Sequence, residues 1–119
     1  MTFILDFPII PYTRMTRFGK FADPRARAYL ANKRAIQLCL KQQMVQANWI
    51  MLPAKTSLSF ALEIWRPKIH TADLENIGKA LMDAANKIVY PDDRWIDAIS
   101  ERRYLASEHR AVFTIKVLP

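Results

Sequence analysis

Hydrophobic and polar positions alternate along Thr2 to Phe7, with Phe3, Leu5 and Phe7 on one side. That period predicts a half-buried first strand. Pro8 and Pro11 stop it, because proline has no N–H to donate to a ladder. Asp23-Pro24 offers an N-cap acid followed by proline at the first helical position, so a helix starts there and runs to about Ala47. Tyr29, Ile36, Leu40 and Met44 fall at helical spacing and form its core-facing stripe. A connector over residues 48–55, closed by Pro53, leads to the clearest strand, Ser57 to Trp65. Here Leu58, Phe60, Leu62 and Ile64 occupy one face, and Ser57, Ser59, Ala61 and Glu63 the other. Pro67 ends it. A second helix is predicted from about Glu75 to Val89, with Ile77, Leu81, Ala84, Ala85 and Ile88 as its apolar face. Gly78 lies inside it at a cost of about 1 kcal/mol against Ala, and an interior glycine marks a close backbone approach. Tyr90-Pro91-Asp92-Asp93 is a turn. Trp95 to Leu105 is a weaker strand and Arg110 to Leu118 a stronger one, with Ala111, Phe113, Ile115 and Val117 inward; residues 106–109 are the expected hairpin turn between them. The order β-α-β-α-β-β predicts an α+β fold, a small mixed β-sheet with two packed helices.

The 119 residues predict one domain over 1–119, large enough to bury a core without disulfides. The single Cys39 has no partner for an internal disulfide and fits a reducing, cytoplasmic setting as a small buried hydrophobe. No run of 18 apolar residues is present and the N-terminus lacks a basic leader, so no membrane association is expected.

The net charge of +7 is uneven: residues 1–72 hold eleven Lys and Arg against three acids, residues 73–119 seven against eight. Such a field attracts nucleic acid or an anionic membrane. Residues 12–22 interleave Tyr12, Phe18 and Phe21 with Arg14, Arg17 and Lys20, a composition suited to gripping phosphates and stacking on sugars or bases. A solvated loop anchored by its rings is the plainer alternative. Arg25 and Arg27, at the start of the first helix, lie close enough in sequence to join this surface.

Within this basic chain, six of the eleven acids are concentrated between residues 70 and 97: Asp73, Glu75, Asp83, Asp92, Asp93 and Asp97. Asp73 and Glu75, two apart, point the same way only if the chain is still extended on entering the helix. Glu75, Lys79 and Asp83 are spaced to line one helix face, and Asp92-Asp93 meets them only if the following strand runs back alongside. Carboxylate oxygens in that arrangement suit Mg²⁺, and Lys79 suits charge stabilisation at a phosphate. The same residues also fit an N-cap at Asp73, surface ion pairs of Lys79 with Glu75 and Asp83, and a simple Asx turn at Asp92-Asp93.

The ordered pattern resembles the RusA family of Holliday junction resolvases. The family signature, Asp-x-Asp-Asn-x-x-Lys-x-x-x-Asp-Ala followed about ten residues later by Asp-Asp, stands here as Asp73-Leu74-Glu75-Asn76, Lys79, Asp83-Ala84 and then Asp92-Asp93. The resemblance implies an Mg²⁺-dependent, homodimeric endonuclease that resolves four-way DNA junctions by paired symmetric nicks in recombination and repair, from a bacterial or phage source. Carried over position by position, Asp73, Glu75 and Asp93 are the catalytic acids and metal ligands, and Lys79 the catalytic lysine. Asn76, Asp83 and Asp92 have supporting roles. Three departures stand out: Glu75 replaces the usual Asp, the segment from helix to turn is about one residue short, and Lys87-Ile88-Val89-Tyr90 lacks the usual small residue before the acidic turn. They leave open an inactive relative that binds junctions without cutting. A basic DNA-binding protein with structural acids and an RNA-directed nuclease are the other readings; no helix-turn-helix or zinc-finger spacing supports a sequence-specific regulator.

Overall fold

Leu58–Arg66 forms the central strand, β2, and its sequence explains why: Leu58, Phe60, Leu62 and Ile64 are each at most 2% exposed, so the strand needs a partner along both edges and a helical layer over one face. The structure, a computed structural model, describes residues 1–13, 23–68 and 73–119. In it, β1 (Thr2–Leu5), α1 (Pro24–Ala47), β2, α2 (Leu74–Ala85), a single 3-10 turn (Asp93–Trp95), β3 (Ile96–Leu105) and β4 (Arg110–Val117) follow in that order. The sheet order is β1-β4-β2-β3, with β3 parallel to β2 and the other pairs antiparallel, a mixed sheet carrying two helices in an α+β arrangement.

Residues 106–109 are therefore not a hairpin turn. They carry the chain from edge strand β3 across the end of β2 to β4, whose Arg110 pairs with Trp65. The Ala106 N–H donates to the Arg66 carbonyl at 2.9 Å as the crossing begins. Two inter-strand spacings are about 10 Å, within reach of four residues. Burial of β2 on its apolar face selects this order, because the more polar β3 is then left at the edge.

The core lies between the sheet and the helices. From β1 and β4 come Phe3, Leu5, Ala111, Phe113 and Ile115; Phe113 packs against Phe3 and Phe60 with centroids 5.1 and 5.6 Å away. Each such ring contributes about 1.5–3 kcal/mol by leaving water. Val117 departs from the expected inward set: it is 51% exposed, because Ile115 is the last β4 position under the core. In α1 the stripe Tyr29, Ile36, Leu40 and Met44 is buried as its spacing predicts, joined by Ala26. Asp23 caps the helix by accepting from Arg25 N, and Asn48 closes it in the left-handed conformation. Cys39 is half-buried against the core.

The second helix ends at Ala85, four residues short of the predicted Val89. Lys87 takes a positive φ of 65°, and Val89 N and Ile88 N both return to the Ala85 carbonyl. Lys87 N donates to Tyr90 O at 2.8 Å, and the Tyr90 hydroxyl donates to Met82 O at 2.7 Å. Val89 and Tyr90 are thus buried in a tight turn rather than on a helix face. No helix among the described residues is long and apolar enough to cross a membrane.

Candidate active site

Because β3 runs parallel to β2, the chain leaving α2 turns at residues 86–95 and then travels back beside the helix. That is the return on which the acidic turn depends. It creates an open cavity of about 690 Å³ between α2 and β3, lined by Leu74, Glu75, Lys79, Met82, Asp93, Ile96, Ile99 and Glu101. Glu75, Lys79 and Asp93, expected together from the sequence, share this wall.

Asp73 is still extended, with φ −69° and ψ 125°, and α2 begins at the next residue. Its carboxylate is the N-cap, accepting from Glu75 N at 3.0 Å. Glu75 sits in the first turn, where a negative charge also complements the helix dipole. Lys79, one turn on, places its ammonium 4.5 Å from the centre of the Tyr12 ring. The Tyr12 N–H donates to the Asn76 carbonyl at 3.0 Å, so Asn76 ties the segment before residue 14 to α2 through its backbone.

Asp83 does not join this wall. At 3.6 residues per turn, position i+8 has rotated about 80° from i, whereas i+7 is only about 20° away; Met82 therefore lines the cavity and Asp83 faces α1. There it accepts from the Tyr29 hydroxyl at 2.7 Å and lies 3.1 Å from the Lys33 ammonium. Burial first, then this hydrogen bond and the Asp83 charge, push the Tyr29 phenol well above its ordinary pKa.

Asp92 and Asp93 are adjacent but unlike. Asp92 caps the 3-10 turn and is held by Arg94, whose backbone N–H donates to it at 2.9 Å and whose guanidinium donates at 3.0 Å. The Arg94 side-chain hydrogen bond is the main reason its pKa is lowered. Asp93 turns to the cavity, where loss of hydration, then the hydrogen bond and charge of Asp92, raise its pKa.

Glu101 is the residue that sequence reasoning missed. It pairs with Leu62 and so occupies the helix-covered face of β3. Its carboxylate is packed against Gly78 so closely that a Cβ there would overlap it. The interior glycine expected to mark a close approach is this contact. Oε2 is buried without a hydrogen-bond partner, and burial, then the charges of Glu75 and Asp73, raise the Glu101 pKa. The available signal was an acid in phase with Ile99 along β3, both of which line the cavity.

Among the described residues, no three of His, Cys, Asp and Glu stand close enough together to hold a metal ion as they are. Uncompensated carboxylates repel one another, and an oxygen of Asp73 is engaged at the cap. The donor set still fits a hard divalent cation: all-oxygen carboxylates on both sides of one cavity, one of them with an orphaned buried oxygen. Of the expected DNA contacts, Arg25 and Arg27 are exposed on the first turn of α1. Arg14, Arg17 and Lys20 lie outside the described residues.

A family model described as endodeoxyribonuclease RusA matches residues 11–116. The match spans both helices, the acidic turn and the cavity between α2 and β3. No curated protein matches the chain. The signature read from α2 and the turn after it is thus embedded in a match over most of the chain's length, and the chain belongs to the RusA endodeoxyribonuclease family, metal-dependent nucleases that resolve Holliday junctions in DNA recombination.

Proposed function

We propose that this protein resolves four-way DNA junctions as a Mg²⁺-dependent homodimer, introducing paired symmetric nicks. The observation that carries the reading is the meeting of Glu75, Lys79 and Asp93 in one cavity, although the turn and the helix's first residues are separated by the length of α2.

Asp73, Glu75 and Asp93 are the metal ligands in this reading, and Mg²⁺ matches their number and hardness because it retains several waters. An ion held there would supply polarisation of the scissile phosphodiester and a lowered pKa for an attacking water. Lys79 stabilises negative charge on the phosphate from a position fixed by the Tyr12 ring. Asp92 holds the acidic turn through Arg94. Asp83 supports the site indirectly by docking α2 on α1. Arg14, Arg17, Lys20, Arg25 and Arg27 bind the phosphate backbone in a salt-dependent manner. Two symmetric nicks need two identical sites about a two-fold axis, which a homodimer supplies.

The test is cleavage of a synthetic four-way junction and of linear duplex, in Mg²⁺ and in EDTA. Paired nicks confined to the junction and lost in EDTA are expected. The capping role of Asp73 favours a second reading, a junction-binding protein of the same fold with weak or no activity. Tight junction binding without nicks in any divalent cation is its signature.

A further inference from the structure

We propose that Glu101 is a fourth carboxylate ligand of the divalent-cation centre, opposite Glu75 across the cavity between α2 and β3. The inference rests on the metal-dependent reading above and extends it to a residue outside the signature.

Glu101 is an acid on the helix-covered side of β3. Its neighbour across the ladder is Leu62, 2% exposed, and it lines the same wall as Glu75, Lys79 and Asp93. Its Oε2 is buried and has no hydrogen-bond donor. The Glu75 and Asp73 charges both act on it unfavourably. A carboxylate with one oxygen buried and unpaired, set beside like charges, is tolerated when a cation compensates it. The helix carries Gly78 where a Cβ would displace this carboxylate. Gly78 weakens the helix locally, and what it admits is the Glu101 head group. Across the cavity, Glu75 is one methylene longer than the aspartate usual in the signature, and therefore reaches further toward β3.

The test is direct binding of Mn²⁺, followed by electron paramagnetic resonance on DNA-free protein, for wild type, Glu101→Gln and Glu75→Gln. Glu101→Gln keeps the shape and removes the charge, and is expected to weaken Mn²⁺ binding at least tenfold. Metal-free Glu101→Gln is expected to unfold at the wild-type temperature or above it, because an unpaired buried charge is gone. Should that variant not fold, Glu101→Asp, which withdraws the carboxylate by one methylene, is expected to weaken Mn²⁺ in the same sense. Unchanged affinity in the Glu101 variants with weakened binding in Glu75→Gln would overturn the role of Glu101 and leave the metal centre standing. Absent binding in wild type, or binding indifferent to both positions, would overturn the centre as well.

Discussion

The Lys79 ammonium lies 4.5 Å from the centre of the Tyr12 ring, so the candidate catalytic cation is seated by a residue at the edge of the basic stretch of sequence. Tyr12 is itself held edge-to-face against Tyr29 of α1, with centroids 5.8 Å apart. A ring that is fixed on one side and wet on the other restrains the lysine without neutralising it.

Tyr12→Leu is accordingly expected to lower kcat about two- to fivefold, since an exposed cation–π contact contributes roughly 0.5–1 kcal/mol. Tyr12→Phe retains the ring face and is expected to stay near wild type. Lys79→Met is expected to cost about a hundredfold or more, the scale of losing a transition-state charge partner. Single-turnover cleavage of a four-way junction at saturating protein checks all three.

Asp83 has a structural role that can be separated from chemistry. Asp83→Ala leaves the Tyr29 hydroxyl, on a residue 1% exposed, without its acceptor. The expected loss is about 1–3 kcal/mol of stability, read as a lower urea midpoint at unchanged slope. Cleavage per folded molecule is expected to survive. A variant with wild-type stability and no cleavage would return Asp83 to the active site.

Alkaline pH tests the two buried phenols. Tyr29 and Tyr90 both have raised pKa values when folded, chiefly from burial. The native state therefore keeps protons that the unfolded chain releases above about pH 10, and stability must fall as pH rises beyond that point. Below it neither residue contributes any pH dependence. Tyr29→Phe and Tyr90→Phe are each expected to flatten the decline in urea-unfolding free energy between pH 9.5 and about pH 11. An unaltered slope in both would show that the phenols ionise freely in the native protein.

Much of this arrangement is written in local periodicity. The stripe from Tyr29 to Met44 and the alternation from Leu58 to Ile64 needed only spacing to locate both the elements and their buried faces. The acids were legible because carboxylates are concentrated on a basic chain. What spacing does not encode is how elements pair. The 106–109 segment has the length of a hairpin loop, yet β2 lies between the strands it joins. The early end of α2 depends on Lys87 taking a left-handed conformation to bury Tyr90, a tertiary demand on a residue with no local preference for it. Asp83 turned out to serve α1 because eight residues carry a helix position most of a quarter-turn away from its start. Glu101 reaches the cavity because β3 lies beside α2 and Gly78 leaves room for its carboxylate.

Asp93 comes from the turn and Glu75 from the helix, and the proposed nuclease centre requires both. The most direct test is cleavage and binding of one four-way junction by Asp93→Asn and Glu75→Gln, measured in parallel with wild type in Mg²⁺. Each variant is expected to lose cleavage by at least a hundredfold while binding the junction as tightly as wild type or more so, because a negative charge facing phosphate has been removed. Full cleavage by either variant would contradict a catalytic centre built across the α2–β3 cavity.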